Sequence, residues 1–265
     1  MDGQPRQRLD EHVQLDRDVR AAEPSRGGNA LRLLLGLALC AASLAAPKVP
    51  LYRAGRTLDA ITVDGKPDEL TWAVRAGVGP FEDVRGSKTP SPTRSVVAWD
   101  DKNLYVLFAA SDKDPWGTMK NRDDKIWSEE VVEVFLDPDG DGKNYAELEV
   151  SPHNTVVDLL IPAPHSISDE DRRGWNIEGL QTAVNLQPGE GWTVEIAIPW
   201  AALGRTGVTG PPKLGDRWRV GLYRIERPEG PKAPDTNHQY LAWSRTKQHF
   251  HEPERFGVIE FVNEP

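Results

Sequence analysis

Three runs decide the fold: Val131-Val132-Glu133-Val134-Phe135-Leu136, Tyr145-Ala146-Glu147-Leu148-Glu149-Val150 and Val156-Val157-Asp158-Leu159-Leu160-Ile161. Each is rich in β-branched or aromatic residues, which suit a pleated, half-buried surface. Turn formers bound them. Pro138, Gly140 and Gly142 fill the first gap; Ser151, Pro152 and Asn154 fill the second. The pattern predicts a three-strand antiparallel meander. Side chains alternate along a strand, so Val132, Val134 and Leu136 share one face. Glu133 falls on the other, with Val131 and Phe135. Such a Glu is either an ordinary outward-facing acid or a group turned toward a ligand. Trp127 stands just before the first run, in a polar setting.

Working outward, strands are expected at 95–99, 104–111, 180–186, 192–198, 219–226, 240–243 and 258–261. Asp100-Asp101-Lys102-Asn103 makes a hairpin of the first two. A helical turn at 68–72, capped by Asp68 or a neighbour, would pin Trp72 inward. Pro199 opens a second short helical turn. Loops are expected at 77–93, 112–125, 162–174 and 228–237. About ten short strands separated by turn signals predict an all-β fold, a single antiparallel β-sandwich with short helical turns.

The chain has 265 residues with Gly 23, Pro 22 and 38% hydrophobic content, enough for one domain with its own core. Residues 31–46 hold an apolar stretch preceded by Arg26 and Arg32, which reads as a signal peptide with small residues at Ser43 and Ala45. Leu37-Ala38-Leu39-Cys40 offers an alternative bacterial lipoprotein box, with a lipid anchor at Cys40. Residues 1–30 are polar and aperiodic, a disordered tail or the product of a misplaced start codon. The expected organisation is an extension plus signal peptide over 1–46 and a domain over 47–265. The protein is expected to be exported to a periplasmic, cell-surface or extracellular location.

Net charge is −9. An acidic domain argues against nucleic acid and against anionic membrane surfaces, and leaves neutral ligands open. One Cys excludes an internal disulfide framework. The nine Trp supply flat apolar faces, most of them as core filler.

Trp127, Val132-Glu133-Val134-Phe135-Leu136-Asp137 and Asn144-Tyr145 resemble the core of the family 9 carbohydrate-binding modules. Three outlying pieces extend the resemblance across 58–261. They are Val63-Asp64-Gly65-Lys66-Pro67-Asp68-Glu69 with Trp72, the run from Gly191-Trp192 to Pro199-Trp200, and Arg255-Phe256-Gly257. The resemblance implies noncatalytic binding of an oligo- or polysaccharide in an aromatic slot. Trp127 would be one wall and Glu133 the hydroxyl acceptor. Phe250, just before Pro253-Glu254-Arg255-Phe256-Gly257, takes the second aromatic position; its alternative is a plain loop anchor. Glu149 lies where sugar binders of the family place an Arg. Trp175, His249 and His251 are further candidates, the two His as a metal pair or as a hydrogen-bonding pair.

Asp137-Pro138-Asp139-Gly140-Asp141-Gly142 has the alternating carboxylates of a calcium loop. An EF-hand needs Glu at the twelfth position, where Leu148 stands, and a helix where a strand follows. What remains is a strand-turn calcium site on Asp137, Asp139 and Asp141, or an ion-free Asp/Gly turn. No organic cofactor is expected. No nucleophile elbow, zinc motif or phosphate loop is present. Rival readings are a haem-binding electron carrier on a related sandwich, a glycoside hydrolase with paired carboxyls, and a structural domain whose ligand site has decayed.

Overall fold

The computed structural model describes residues 48–164, 166, 174–232 and 237–264. The stretch read as a signal peptide, Cys40 included, lies outside the described residues. Among the described residues, twelve strands carry the fold: β1 Leu51–Arg56, β2 Glu82–Asp83, β3 Thr93–Trp99, β4 Asn103–Ser111, β5 Val131–Asp137 and β6 Tyr145–Val150, then β7 Val156–Ile161, β8 Gln181–Gln187, β9 Gly191–Pro199, β10 Arg217–Glu226, β11 Gln239–Ala242 and β12 Gly257–Val262. One five-residue helix, α1 Leu70–Val74, accompanies them.

The strands follow one path, β7-β6-β5-β10-β12-β1-β3-β4-β9-β8, with β11 on β10 and β2 on β11. The expected meander is its first three members. The path curls, so its two halves stack as the layers of a sandwich. Val132, Val134 and Leu136 of β5 share one core with Val97 and Trp99 of β3, Val106 and Phe108 of β4, and Val194 and Ile196 of β9. These are the positions that alternation along each strand turns inward.

All ten expected strands form. The pairing is not antiparallel throughout: β1 runs parallel to both β12 and β3, and joins the two halves. Sequence reasoning missed β1 because Leu51-Tyr52-Arg53-Ala54-Gly55-Arg56 has no apolar run. Only Ala54 and Gly55 are buried, and the strand is held by backbone pairing on both sides.

The cap of α1 also differs. Glu69, not Asp68, precedes the helix, and its side chain makes no cap. The free N–H groups of Leu70 and Thr71 instead donate to the Asp59 carboxylate at 2.7 and 3.0 Å. A distant carboxylate serves the first turn as well as a local one. Trp72 turns inward as expected, and its Nε1 donates to Glu195 at 2.8 Å. It covers Ala98, Tyr105, Leu107 and Ala197 on the outer face of β3-β4-β9. The outer face of the other layer, on β5, β6, β7 and β10, carries the candidate site.

Candidate functional site

Strand alternation assembles this face. Glu133 of β5 lies opposite Glu149 of β6 and Tyr223 of β10; Phe135 lies opposite Glu147 and Gly221. Val131, Phe135, Tyr145, Val157, Tyr223 and Ile225 form its apolar floor. Two loops fold over it. The loop before β5 brings Ile126, with Trp127 packed against the group, and the segment before β12 brings Phe250 and Phe256.

The aromatic geometry is layered. Gly221 has no side chain, and a Cβ there would lie 2.3 Å from the Tyr223 ring, which crosses directly above it. Phe250 stacks on Tyr223 with ring centroids 4.1 Å apart and planes 10° apart. Tyr240 meets Phe250 edge-on at 6.0 Å. Phe250 is consequently only 7% exposed. Trp127, in the helical turn Ile126–Ser128, keeps part of its surface open. Its carbonyl accepts a hydrogen bond from Arg227 at 3.2 Å.

Glu133, Glu147 and Glu149 bury their carboxyl groups in this face. Burial, and then the nearby Glu147, push the Glu133 carboxyl well above the usual carboxylate range. Removing a charge from water without an opposite charge is costly, so the group keeps its proton instead. A protonated carboxyl both donates and accepts, which suits a hydroxyl partner. This fixes a stability prediction. The folded state holds a proton that the unfolded chain releases near pH 4–5, so stability is lost as pH rises above that range. Glu133→Gln has no proton to lose. It is expected to melt above the wild type at about pH 8, with the gap narrowing toward about pH 4. A wild type that melts as high as the variant at alkaline pH contradicts the neutral carboxyl.

His251 links this face to a neighbouring cleft. Its Nδ1 lies 2.7 Å from the Tyr145 hydroxyl and its Nε2 3.8 Å from Glu147. The cleft, of about 650 Å³, opens between the 140–143 turn and residues 247–254, and His249, His251, Lys143 and Lys247 line it.

The acidic loop sits at the cleft's edge. Carboxylate oxygens of Asp137, Asp139 and Asp141 all lie within 4.8 Å of one another. Asp137 Oδ2 accepts the Gly142 N–H at 3.1 Å. Asp137 Oδ1 is buried with no hydrogen-bond partner among the described residues. Burial, and next Asp139 and Asp141 against the relief from the Gly142 N–H, push the Asp137 carboxyl up to about 6. An orphaned buried oxygen beside two further carboxylates fits a hard cation.

Of the candidate residues, the structure brings Trp127, Glu133, Glu149 and Phe250 to one face, with His249 beside Phe250 on the cleft. Trp175 is elsewhere. It is 6% exposed and belongs to the inner core, on the opposite side of the sheet. The long polar loop before it suggested a surface position. The chain is instead drawn inward where the Ile177 N–H donates to buried Asp158 at 2.5 Å. Tyr145, Glu147, Tyr223 and Tyr240 escaped the sequence reading as members of the face. Period-two alternation from Tyr145 to Glu149 was the available signal for the first two; nothing local marks the others.

The two layers define a β-sandwich, with this aromatic, carboxyl-lined face on the outside of one of them. Residues 63–264 match the family described as carbohydrate family 9 binding domain-like, and the chain belongs to that family. Endo-1,4-beta-xylanase A of Thermoanaerobacterium saccharolyticum is 27% identical over 143 residues, which cover 53% of this chain and 11% of that protein. Exoglucanase XynX of Acetivibrio thermocellus is 28% identical over 143 residues, 53% of this chain and 12% of the other. The match thus spans about a tenth of the length of these curated relatives. Among solved structures, a family 9 carbohydrate-binding module from Caldicellulosiruptor kristjanssonii in complex with cellotriose superposes with a TM-score of 0.56 at 18% identity, over 81% of this chain and 95% of that one. A putative carbohydrate-binding protein from Bacteroides uniformis gives a TM-score of 0.63 at 17% identity, over 81% and 100% of the two chains.

Proposed function

We propose that the domain binds saccharide without turning it over, on the outer face of β5, β6 and β10. A sugar ring presents axial C–H groups to an aromatic surface and hydroxyls around its rim. Trp127 supplies the accessible surface and Glu133 the hydroxyl partner. Phe250, backed by Tyr223, closes the far side; its burial makes it loop anchor and rear wall together. The observation that carries this reading is the convergence of Trp127, Glu133 and Phe250 on one face, though Trp127 and Phe250 lie far apart in the chain. Cellotriose, the ligand of the C. kristjanssonii module, is the first probe. Calorimetric binding supports the reading; release of reducing ends from polysaccharide by the pure protein would replace it with the hydrolase. Residues 31–46, read as an export signal, support an encounter outside the cytoplasm.

Calcium on Asp137, Asp139 and Asp141 belongs to the same proposal, as a structural ion that fixes the β5–β6 turn. A ligand that binds only the native state raises its stability. Calcium added to metal-stripped protein is therefore expected to raise the melting temperature. Asp137 must lose its proton to bind, so the rise should grow as pH passes through about 6. Identical melts with calcium and with chelator at neutral pH count against the ion.

A further inference from the structure

Behind the loop that carries Trp127 lies a buried group of charges that saccharide binding does not use. Asp112 just past β4, Glu130 just before β5 and Glu226 at the end of β10 bring carboxylate oxygens within 4.8 Å of one another. All three are buried. The Arg224 guanidinium, also fully buried, lies among them. It donates to Asp112 and to the Ser111 carbonyl at 2.8 Å each, and pairs with Glu226. Three carboxylates against this guanidinium leave excess negative charge in a dry site, which a proton relieves. Glu130 takes the proton: burial first, then Asp112, push its carboxyl up to about 8, and the two side chains share a hydrogen bond.

The same Glu130 side chain ties the loop together. Its Oε2 accepts the Trp116 N–H at 3.2 Å, and its Oε1 the Arg227 N–H at 3.4 Å. Arg227 in turn donates to the carbonyls of Trp127 and Glu129 at 3.2 and 3.0 Å, and its own carbonyl accepts from Trp116 Nε1 at 2.8 Å. The Arg227 guanidinium also meets His238. The adjacent Glu129 carboxylate receives the N–H groups of Thr118 and Met119 at 2.7 and 3.2 Å. The start of the loop, its end and the edge of β10 are thus joined through two neighbouring glutamates, and Trp127 hangs from the join.

We propose that Glu130 is a positioning residue for Trp127: set among Asp112, Arg224 and Glu226, it is a proton-dependent clasp that keeps the 112–130 loop closed on β10. Its consequence for binding rests on Trp127 being a wall of the saccharide site; the clasp itself does not. The sign follows from linkage. In an opened loop Glu130 meets water and titrates as an ordinary carboxyl, whereas in the closed loop it keeps its proton to about 8. Between those values each pH unit favours opening by up to about tenfold, and the effect levels off above the upper one.

Hydrogen exchange on the full chain, corrected for intrinsic rates, tests this over about pH 6 to 9. In the wild type, protection at the Trp116, Thr118 and Met119 amides should fall by up to about tenfold per unit relative to Val106 and Ile196 of the sheet, then level off near pH 8. Glu130→Gln keeps an acceptor for the loop and a donor toward Asp112, with no proton to lose, so its protection should be flat with pH. No fall in the wild type, or the same fall in the variant, overturns the clasp. Parallel titrations with cellotriose separate the two readings. No binding at any pH overturns the slot while exchange still decides the clasp. Saturating cellotriose that binds yet leaves protection at these loop amides unchanged overturns the coupling to Trp127, because a ligand that binds only the closed loop must slow its opening.

Discussion

Trp127→Ala is expected to abolish measurable cellotriose binding, a loss of at least about 2 kcal/mol, the size typical of a dominant aromatic anchor. The fold should survive. Trp127 packs at the margin of the outer cluster and keeps part of its surface open. Trp99 and Trp192 lie in the inner core at 1% exposure. Truncating a core Trp costs about 3–5 kcal/mol because it leaves a cavity, and Trp127→Ala should cost clearly less. Calorimetry with thermal melts on the same samples reads both quantities. A variant that unfolds makes Trp127 a structural residue. One that folds and binds like the wild type moves the ligand elsewhere.

Arg224→Met is expected to lower folding stability by about 3–5 kcal/mol, the range for removing one partner of a buried ion pair. Arg224 is fully buried and also holds Thr93 Oγ1 at 3.3 Å and the Ser111 carbonyl. Met fills much of the volume, so packing is largely kept. The loss comes from Asp112 and Glu226 left in a dry site without their counter-charge. Both can escape by taking up protons, so the deficit should shrink as pH falls toward the ordinary carboxylate range. Denaturant unfolding at two pH values checks size and sign. A deficit under about 1 kcal/mol, or one independent of pH, would mean the cluster is solvated.

Much of this was legible in the chain because strands advertise themselves locally. The inner core follows from alternation in runs such as Val132-Glu133-Val134-Phe135-Leu136, and the same alternation placed Glu133 on the opposite face. What stayed hidden depends on partners distant in sequence. β1 is held by pairing on both sides, with no apolar run of its own. The α1 N-terminus takes its cap from Asp59, eleven residues before Leu70. Trp175 looked like a loop residue because its neighbours are polar, yet Asp158 draws that segment into the core. In the site, Trp127 and Glu133 stood out as a Trp in a polar segment and an acid in an apolar strand. The Tyr223 stack under Phe250 did not, since it needs β10 beside β5 and a glycine at 221 for the ring to cross.

Saccharide is expected to sit against Trp127, with Glu133 as its hydroxyl partner. A crystal structure of the protein with cellotriose tests it most directly. A sugar ring should pack on the Trp127 face, with a hydroxyl within hydrogen-bond distance of the Glu133 carboxyl. Sugar bound instead in the cleft lined by Lys143, Lys247 and His249, with the Trp127 face empty, would contradict it.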